Sequence, residues 1–106
     1  MTLASCSYNA VQVNTVLVPA QAGKIIRVAR ILVTTWSSMK VTLLSDPGAD
    51  PVVLTPPLHV SSVGLNLHLG RGLALTTARG KALGFHASFQ LSAAEFSLMV
   101  WYEVVS

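Results

Sequence analysis

The feature that most constrains this chain is a two-residue period of apolar and polar side chains that returns in several segments. In "LGFHASFQL", residues 83–91, the apolar residues alternate with Gly, His, Ser and Gln. The segment "VGLNLHL" at 63–69 alternates in the same way. Because successive side chains of a β-strand point to opposite faces, this period predicts strands with one buried face.

The segment 24–36, "KIIRVARILVTTW", carries three basic residues at a three-residue spacing, which would suit one face of a helix. Most of the residues between them are β-branched, and such side chains fit a pleated sheet better than a helix. A strand is therefore the better interpretation. Regular alternation along it predicts that Arg27 shares a face with Ile31, and that Arg30 shares the opposite face with Val28.

Turn residues divide the chain into about eight such segments, and none has the length and period of a helix. We therefore predict an all-β fold, a single antiparallel β-sandwich of about eight strands that resembles a jelly roll. Residues 1–10 are predicted to be an N-terminal arm that orders on a neighbour, and residues 11–106 the sandwich domain. The predicted strands are 11–18, 24–36, 40–45, 52–55, 63–69, 73–77, 83–91 and 96–105. The predicted core contains Leu65, Leu67, Phe85, Phe89, Leu98 and Val100.

The composition predicts that part of the surface is covered by another copy or a partner. Hydrophobic residues make up 52% of the 106-residue chain and charged residues only 10%, against about 25% charged in ordinary soluble domains. No stretch is long and apolar enough for a membrane span, and the first residues do not resemble a signal peptide. The net charge of +3 is spread along the chain, so we expect neither a membrane nor a nucleic acid as partner.

The residue types that carry catalysis or bind metals are few and poorly spaced. His59, His68 and His86 lack the spacing of metal ligands, and His68 and His86 could meet only if their strands were neighbours. Asp46 and Asp50 lie in a proline-rich turn, where turn formation is a better explanation than calcium binding. No catalytic residue, cofactor or metal is therefore predicted, and we expect a protein that is not an enzyme.

Several stretches resemble small β-sandwich proteins of tailed-bacteriophage particles. They are "VPAQAGKIIRVARILVTT", "KVTLLS", "GLNLHLGRGLALTTARGKALGFHASFQL" and "VWYEVV", within residues 11–105. The resemblance, strongest in "AGKIIRV" and "GRGLALTT", implies a virion protein of the capsid decoration (cement) type, made in the cytoplasm of the bacterial host. It transfers no functional residue, because such proteins act through surfaces.

We therefore expect a structural protein that decorates and stabilises the outside of a phage capsid as a homo-oligomer, with the major capsid protein as its partner. The alternative is a receptor- or glycan-binding module of a head fibre, spike or tail. A trimer is expected from the resemblance, because threefold protrusions suit the local threefold positions of an icosahedral shell. Large apolar side chains on the second faces of two strands are the candidate oligomer or capsid interface. They are Leu32, Trp36, Met99 and Trp101.

Overall fold

A computed structural model describes residues 2–55, 57–61, 64–69, 75–89 and 94–106. These residues form ten β-strands. The strands are β1 (Thr2–Tyr8), β2 (Gln12–Val18), β3 (Ile25–Thr35), β4 (Met39–Ser45), β5 (Val52–Val53), β6 (Leu58–Val60), β7 (Leu65–His68), β8 (Leu75–Thr76), β9 (Leu83–Phe89) and β10 (Phe96–Val105). The predicted turn at 70–72, residues 92 and 93 of the predicted turn at 92–95, and positions 63, 73–74 and 90–91 of three predicted strands lie outside the described residues.

The strands form two antiparallel sheets that pack against each other. Sheet A has the order β1-β10-β3-β7, with β8 also paired to β3, and sheet B has the order β2-β9-β4-β5, with β6 also paired to β4. The pairs β5/β6 and β7/β8 each occupy one strand position, so ten strands fill eight positions. This order is that of a jelly roll, and the prediction of an all-β antiparallel sandwich is confirmed.

Aromatic rings from both sheets meet in the interior. Phe85 of sheet B and Phe96 of sheet A are almost fully buried and lie edge to face, with ring centroids 6.5 Å apart. Of the predicted core, Phe85, Leu98 and Val100 are fully buried, whereas Leu65, Leu67 and Phe89 are only partly buried against it. Leu65 and Leu67 lie on β7, which occupies an edge position, so their burial is incomplete.

The structure places Thr2–Tyr8 in the sandwich, where the sequence predicts an arm. This segment is strand β1, which pairs with β10 from Thr2 opposite Tyr102 to Tyr8 opposite Phe96. The Tyr8 ring lies 6.1 Å from the centroids of both Phe85 and Phe96. Small side chains between Thr2 and Tyr8 weaken the two-residue period in this segment, and for that reason the pattern did not indicate a strand.

A β-bulge in β3 changes which faces the two arginines occupy relative to the regular alternation that was predicted. Trp101 of β10 is opposite Arg30, but the next residue, Tyr102, is opposite Val28, so Ala29 is the extra residue. The extra residue shifts the alternation by one position. Arg27 and Arg30 consequently lie on the same outward face, whereas Val28 and Ile31 are both buried. The predictions that Arg27 faces with Ile31 and Arg30 with Val28 are wrong.

Threonine hydroxyls replace backbone acceptors where the edge strands are interrupted. Between β5 and β6, the buried Thr55 accepts a hydrogen bond from the backbone N–H of Leu43 at 3.2 Å. After β8, the buried Thr77 accepts one from the backbone N–H of Ile26 at 3.1 Å. Each hydroxyl satisfies a donor that would otherwise be buried without a partner.

Candidate interaction surfaces

Three of the four predicted interface residues meet on the outward face of sheet A. Met99 of β10 is directly opposite Leu32 of β3, and Trp101 is opposite Leu3 of β1 on its other side. Directly opposite residues have Cβ atoms about 5 Å apart, so these side chains form one cluster. We call Leu3, Leu32, Met99 and Trp101 the outer A cluster. Leu3 is exposed and the other three are half-buried.

Arg30 rigidifies the cluster. The guanidinium carbon of Arg30 lies 4.4 Å from the centroid of the Trp101 ring, within the range of a cation–π contact. The Nε–H of the same arginine donates to Oδ1 of Asn66 at 3.1 Å. Arg27 and Glu103 form an ion pair of 3.5 Å on the same face. The indole of Trp101 is thus held in place from one side, with apolar neighbours on the same face.

Trp36, the fourth predicted residue, lies outside the outer A cluster. It follows the last residue of β3, four positions beyond Leu32, which corresponds to about 13 Å along an extended chain. Its side chain is 82% exposed, and its backbone N–H donates to the carbonyl of Glu95 at 3.3 Å. Trp36 and Glu95 border an open cleft of about 320 Å³ that Thr34 and Ser97 also line. Trp36 therefore belongs to a separate surface at the end of sheet A.

The outward face of sheet B is partly covered by the chain's own loop 46–51. A Cβ added to Gly84 of β9 would lie 2.6 Å from Cβ of Pro47 and 2.6 Å from the carbonyl oxygen of Thr15. The loop therefore packs closely on β9, and only glycine leaves room for it. Leu44, beside Gly84 on β4, is only 4% exposed.

Asp46 and Asp50 shape this loop, which is the turn role expected from the sequence. The backbone N–H of Asp50 donates to Oδ2 of Asp46 at 3.3 Å, and the same oxygen lies 3.6 Å from Nζ of Lys81. Asp46 has a positive φ of 58°, a backbone conformation that Asp tolerates better than most residues. The carboxylate of Asp46 therefore makes contacts within the loop and with Lys81.

Five exposed valines lie on the edges of sheet B, and the sequence pattern did not indicate their exposure. Three lie on or beside β2 and two form β5; they are Val11, Val13, Val16, Val52 and Val53. Val13 is 64% exposed and Val53 is 60% exposed. For the three valines on or beside β2, the signal that could have found them is the absence of any charged residue from position 1 to position 23. An apolar strand without charge resembles a buried strand in sequence, whereas β2 is an edge strand.

The histidines do not converge. His68 belongs to β7 in sheet A and His86 to β9 in sheet B, so their strands are not neighbours. Within the ranges that the structure describes, no three His, Cys, Asp or Glu residues are grouped so that they could hold a metal ion. The same ranges contain no helix that is long and apolar enough to cross a membrane.

Cys6 of β1 is a half-buried free cysteine that packs against the core. Burial raises the pKa of its thiol, because the thiolate loses hydration, and a hydrogen bond with the backbone of Leu98 opposes this effect. The thiol therefore keeps its proton to a higher pH than an exposed cysteine would, which lowers its reactivity.

Comparison with known proteins yields a weak structural likeness. No protein-family model matches the chain, and no curated protein matches its sequence significantly. Among solved structures, the nucleoplasmin-like N-terminal domain of Drosophila FKBP39 is 13% identical, with a TM-score of 0.47. The match covers 95% of this chain and 86% of that one.

Proposed function

We propose that this chain is a structural protein of a tailed-phage particle that decorates and stabilises the capsid exterior as a homo-oligomer, a trimer in the first instance. The outer A cluster would be the surface that contacts the major capsid protein. The sequence resemblance suggests the particle, and the described residues suggest the surface. The single observation that carries the proposal is that Leu32, Met99 and Trp101 lie together on one outward face.

The chemistry of this cluster suits protein recognition. Aromatic residues, methionine and arginine are enriched at protein interfaces, and large aromatic residues near the centre of an interface dominate its energy. Trp101 has apolar neighbours in Leu3 and Met99 and an arginine over its ring. An indole held by Arg30 loses little side-chain freedom on binding, which lowers the entropic cost of association.

The jelly-roll arrangement is compatible with the proposal but does not distinguish it. Viral capsid domains, lectins and cupins all use this fold. A fold shared by so many functions supports a role only by analogy. The weight of the proposal therefore rests on the resemblance in sequence and on the outer A cluster.

The direct test is reconstitution on particles. We would add the purified protein to phage shells that lack it and measure bound copies by quantitative mass spectrometry. We expect hundreds of copies of the native chain at saturation, and at least tenfold weaker binding for Trp101→Ala, as for a truncated aromatic hot spot. Lys40→Ala, at an exposed position on β4 of the other sheet, is the matched control and should bind normally. A decoration role would be contradicted if the native protein failed to bind shells, or if it bound in only a few copies per particle.

A receptor- or glycan-binding module is the second candidate, and the cleft beside Trp36 favours it. The side chain of Trp36 is largely exposed, and Glu95, Thr34 and Ser97 line the same cleft. An exposed aromatic face with nearby hydrogen-bonding groups suits a sugar ring, which has one apolar face and several hydroxyls. Titration with oligosaccharides from the host surface, followed by tryptophan fluorescence, would test this function. A change abolished by Trp36→Ala but kept by Trp101→Ala would support it, and no change with any sugar would exclude it.

A further inference from the structure

The distribution of charge between central and edge strands is the reverse of the usual one. Natural proteins guard exposed edge strands with charged residues, because unpaired backbone groups invite another strand. Here the edge strands β1, β2, β5, β6, β7 and β8 contain no Lys, Arg, Asp or Glu over their described residues. The charged residues within the described strands are Arg27, Arg30, Lys40 and Glu103, all on central strands.

These uncharged edge strands form two lateral sides of the sandwich, and β5 to β8 are short, with two to four residues each. β1 and β2, the edges of the two sheets on one side, lie against each other. β5 and β6 of sheet B and β7 and β8 of sheet A are the opposite edges. Of the exposed valines, Val11, Val13 and Val16 belong to the first side, and Val52 and Val53 to the second. Each copy of the chain therefore carries two separate apolar edges.

Stacking of two copies through the outward face of sheet B is hindered by the loop 46–51. Pro47 packs on Gly84 in the middle of that face, and the loop residues Gly48 to Pro51 are exposed above it. The apolar side chains that remain accessible on this sheet are those at its two edges. The register aligns Val16, Gly84, Leu44 and Val53 across this face, so Val16 and Val53 lie on either side of the loop. A lateral association, which continues the sheet past each edge, is therefore the better way to cover these valines.

The strand directions allow such an association. β2, β9, β4 and β5 alternate in direction across sheet B, so β2 and β5 run antiparallel to each other. In sheet A, β1 and β7 are antiparallel by the same reasoning. If two copies are related by rotation about an axis roughly along the strands, β2 of one lies antiparallel to β5 of the next. Both sheets would then continue across the joint with the usual antiparallel hydrogen bonds.

We propose that copies of this chain join head to tail, the β1/β2 side of one copy against the β5–β8 side of the next, in a closed ring of at least three copies. The occupant of each edge is a second copy because every chain presents both halves of the joint, in compatible directions and with no charged residue in the described edge strands. Such a heterologous contact cannot close as a dimer and produces a ring when the rotation closes. The inference deepens the homo-oligomer of the proposed function, although it does not require that the oligomer binds a phage.

The test is the mass of the purified chain and of two single variants by light scattering and native mass spectrometry. We expect a ring of one defined size for the native chain. Val13→Lys places a charge on the β1/β2 side and Val53→Lys places one on the opposite side, both at exposed positions. Each variant alone should be a monomer, with a circular dichroism spectrum and melting profile that show a folded sandwich. Thr34→Lys, at an exposed position on the central strand β3, is the control and should keep the native mass.

Mixing the two variants distinguishes a head-to-tail joint from a symmetric one. Val53→Lys keeps an intact β2 edge and Val13→Lys keeps an intact β5 edge, so the mixture should form a heterodimer through one native joint. A symmetric interface made of one edge twice would instead leave one of the variants fully associated. A monomeric native chain at micromolar concentration, a native dimer, or a ring that survives both substitutions would overturn the proposal.

The outcome is separable from that of the proposed function. Trp101 lies on the central strand β10, so Trp101→Ala changes neither edge strand, and this variant should keep the native mass while it binds shells poorly. A ring that does not bind shells would leave the head-to-tail joint standing and contradict capsid decoration. Shell binding by a monomeric native chain would contradict the ring and the homo-oligomer but leave capsid decoration standing.

Discussion

The two sheets share one interior but differ in how much of each outward face is covered by the chain itself. The outward face of sheet A remains open and has a cation–π contact, an ion pair and a cluster of large apolar side chains. The outward face of sheet B is covered in its middle by the loop 46–51, and its exposed apolar side chains lie at the edges. Sheet A therefore offers a face to a partner, and sheet B offers edges.

The difference teaches that apolar character alone does not locate an interface. Leu44 on sheet B and Met99 on sheet A are both outward-facing apolar residues. Leu44 is buried under the chain's own loop, whereas Met99 remains half-exposed. Which apolar side chains remain for a partner depends on where loops fold back, and four experiments examine this contrast.

The largest effect on the free energy of unfolding is expected for substitutions in the core that the two sheets share. Phe85→Ala and Phe96→Ala each remove a buried ring from the shared core and should lower the free energy of unfolding by about 3–5 kcal/mol. Phe89→Ala, at a partly buried position, should cost less. Urea unfolding measures all three. A loss for Phe89→Ala equal to that for Phe85→Ala would show that Phe89 is buried as deeply as Phe85.

The second effect is specific to sheet B. Gly84→Ala places a methyl group against Pro47 and the Thr15 carbonyl, so the loop must move, at a cost of about 1–3 kcal/mol. Gly48→Ala, where the new Cβ meets nothing within 4 Å, is the matched control and should change stability by less than about 0.5 kcal/mol. Thermal melts compare the two. Equal stability of both variants would mean that the loop does not cover the sheet closely.

The third expected effect is a smaller energy, the coupling between Arg30 and Trp101 on the outward face of sheet A. A double-mutant cycle of Arg30→Ala and Trp101→Ala should give a coupling energy of about 0.5–1 kcal/mol, because the cation–π contact lies at a partly exposed site. Arg30→Lys keeps a positive charge but loses the planar group and should recover only part of the coupling. A coupling energy of zero would mean that Arg30 does not hold the indole in solution.

The smallest effect concerns the β1 edge. Burial raises the pKa of Cys6, so at mildly alkaline pH we expect the thiol to be alkylated more slowly in the folded protein than in urea. At neutral pH the thiol is protonated in both the folded and the unfolded state, so it does not make the free energy of unfolding depend on pH there. Stability should fall slightly as the pH rises above the ordinary thiol pKa towards the raised one. Equal labelling rates in the two states would indicate that β1 is detached from the sandwich.

The sequence alone determined the class of fold and most strand positions. β-branched residues and two-residue alternation act locally, so β3, β9 and β10 could be predicted within a few residues. Alternation within each strand also placed Leu32, Met99 and Trp101 on second faces, but only the pairing of β3 with β10 brings them together. Local pattern sufficed in these strands because each has one face that is strongly apolar.

Only the tertiary structure decided the rest, because it depends on contacts between distant segments. The bulge at Ala29 appears only when β3 is matched against β10, and it reverses the predicted face of Arg27. The pairing of β1 with β10 depends on a partner more than 80 residues away. The cover of Pro47 over Gly84, and the exposure of Val13 at a sheet edge, follow from the order of strands in the sheet. Alternation fixes a side chain's face relative to its neighbours in sequence, but strand order determines which faces and edges meet solvent.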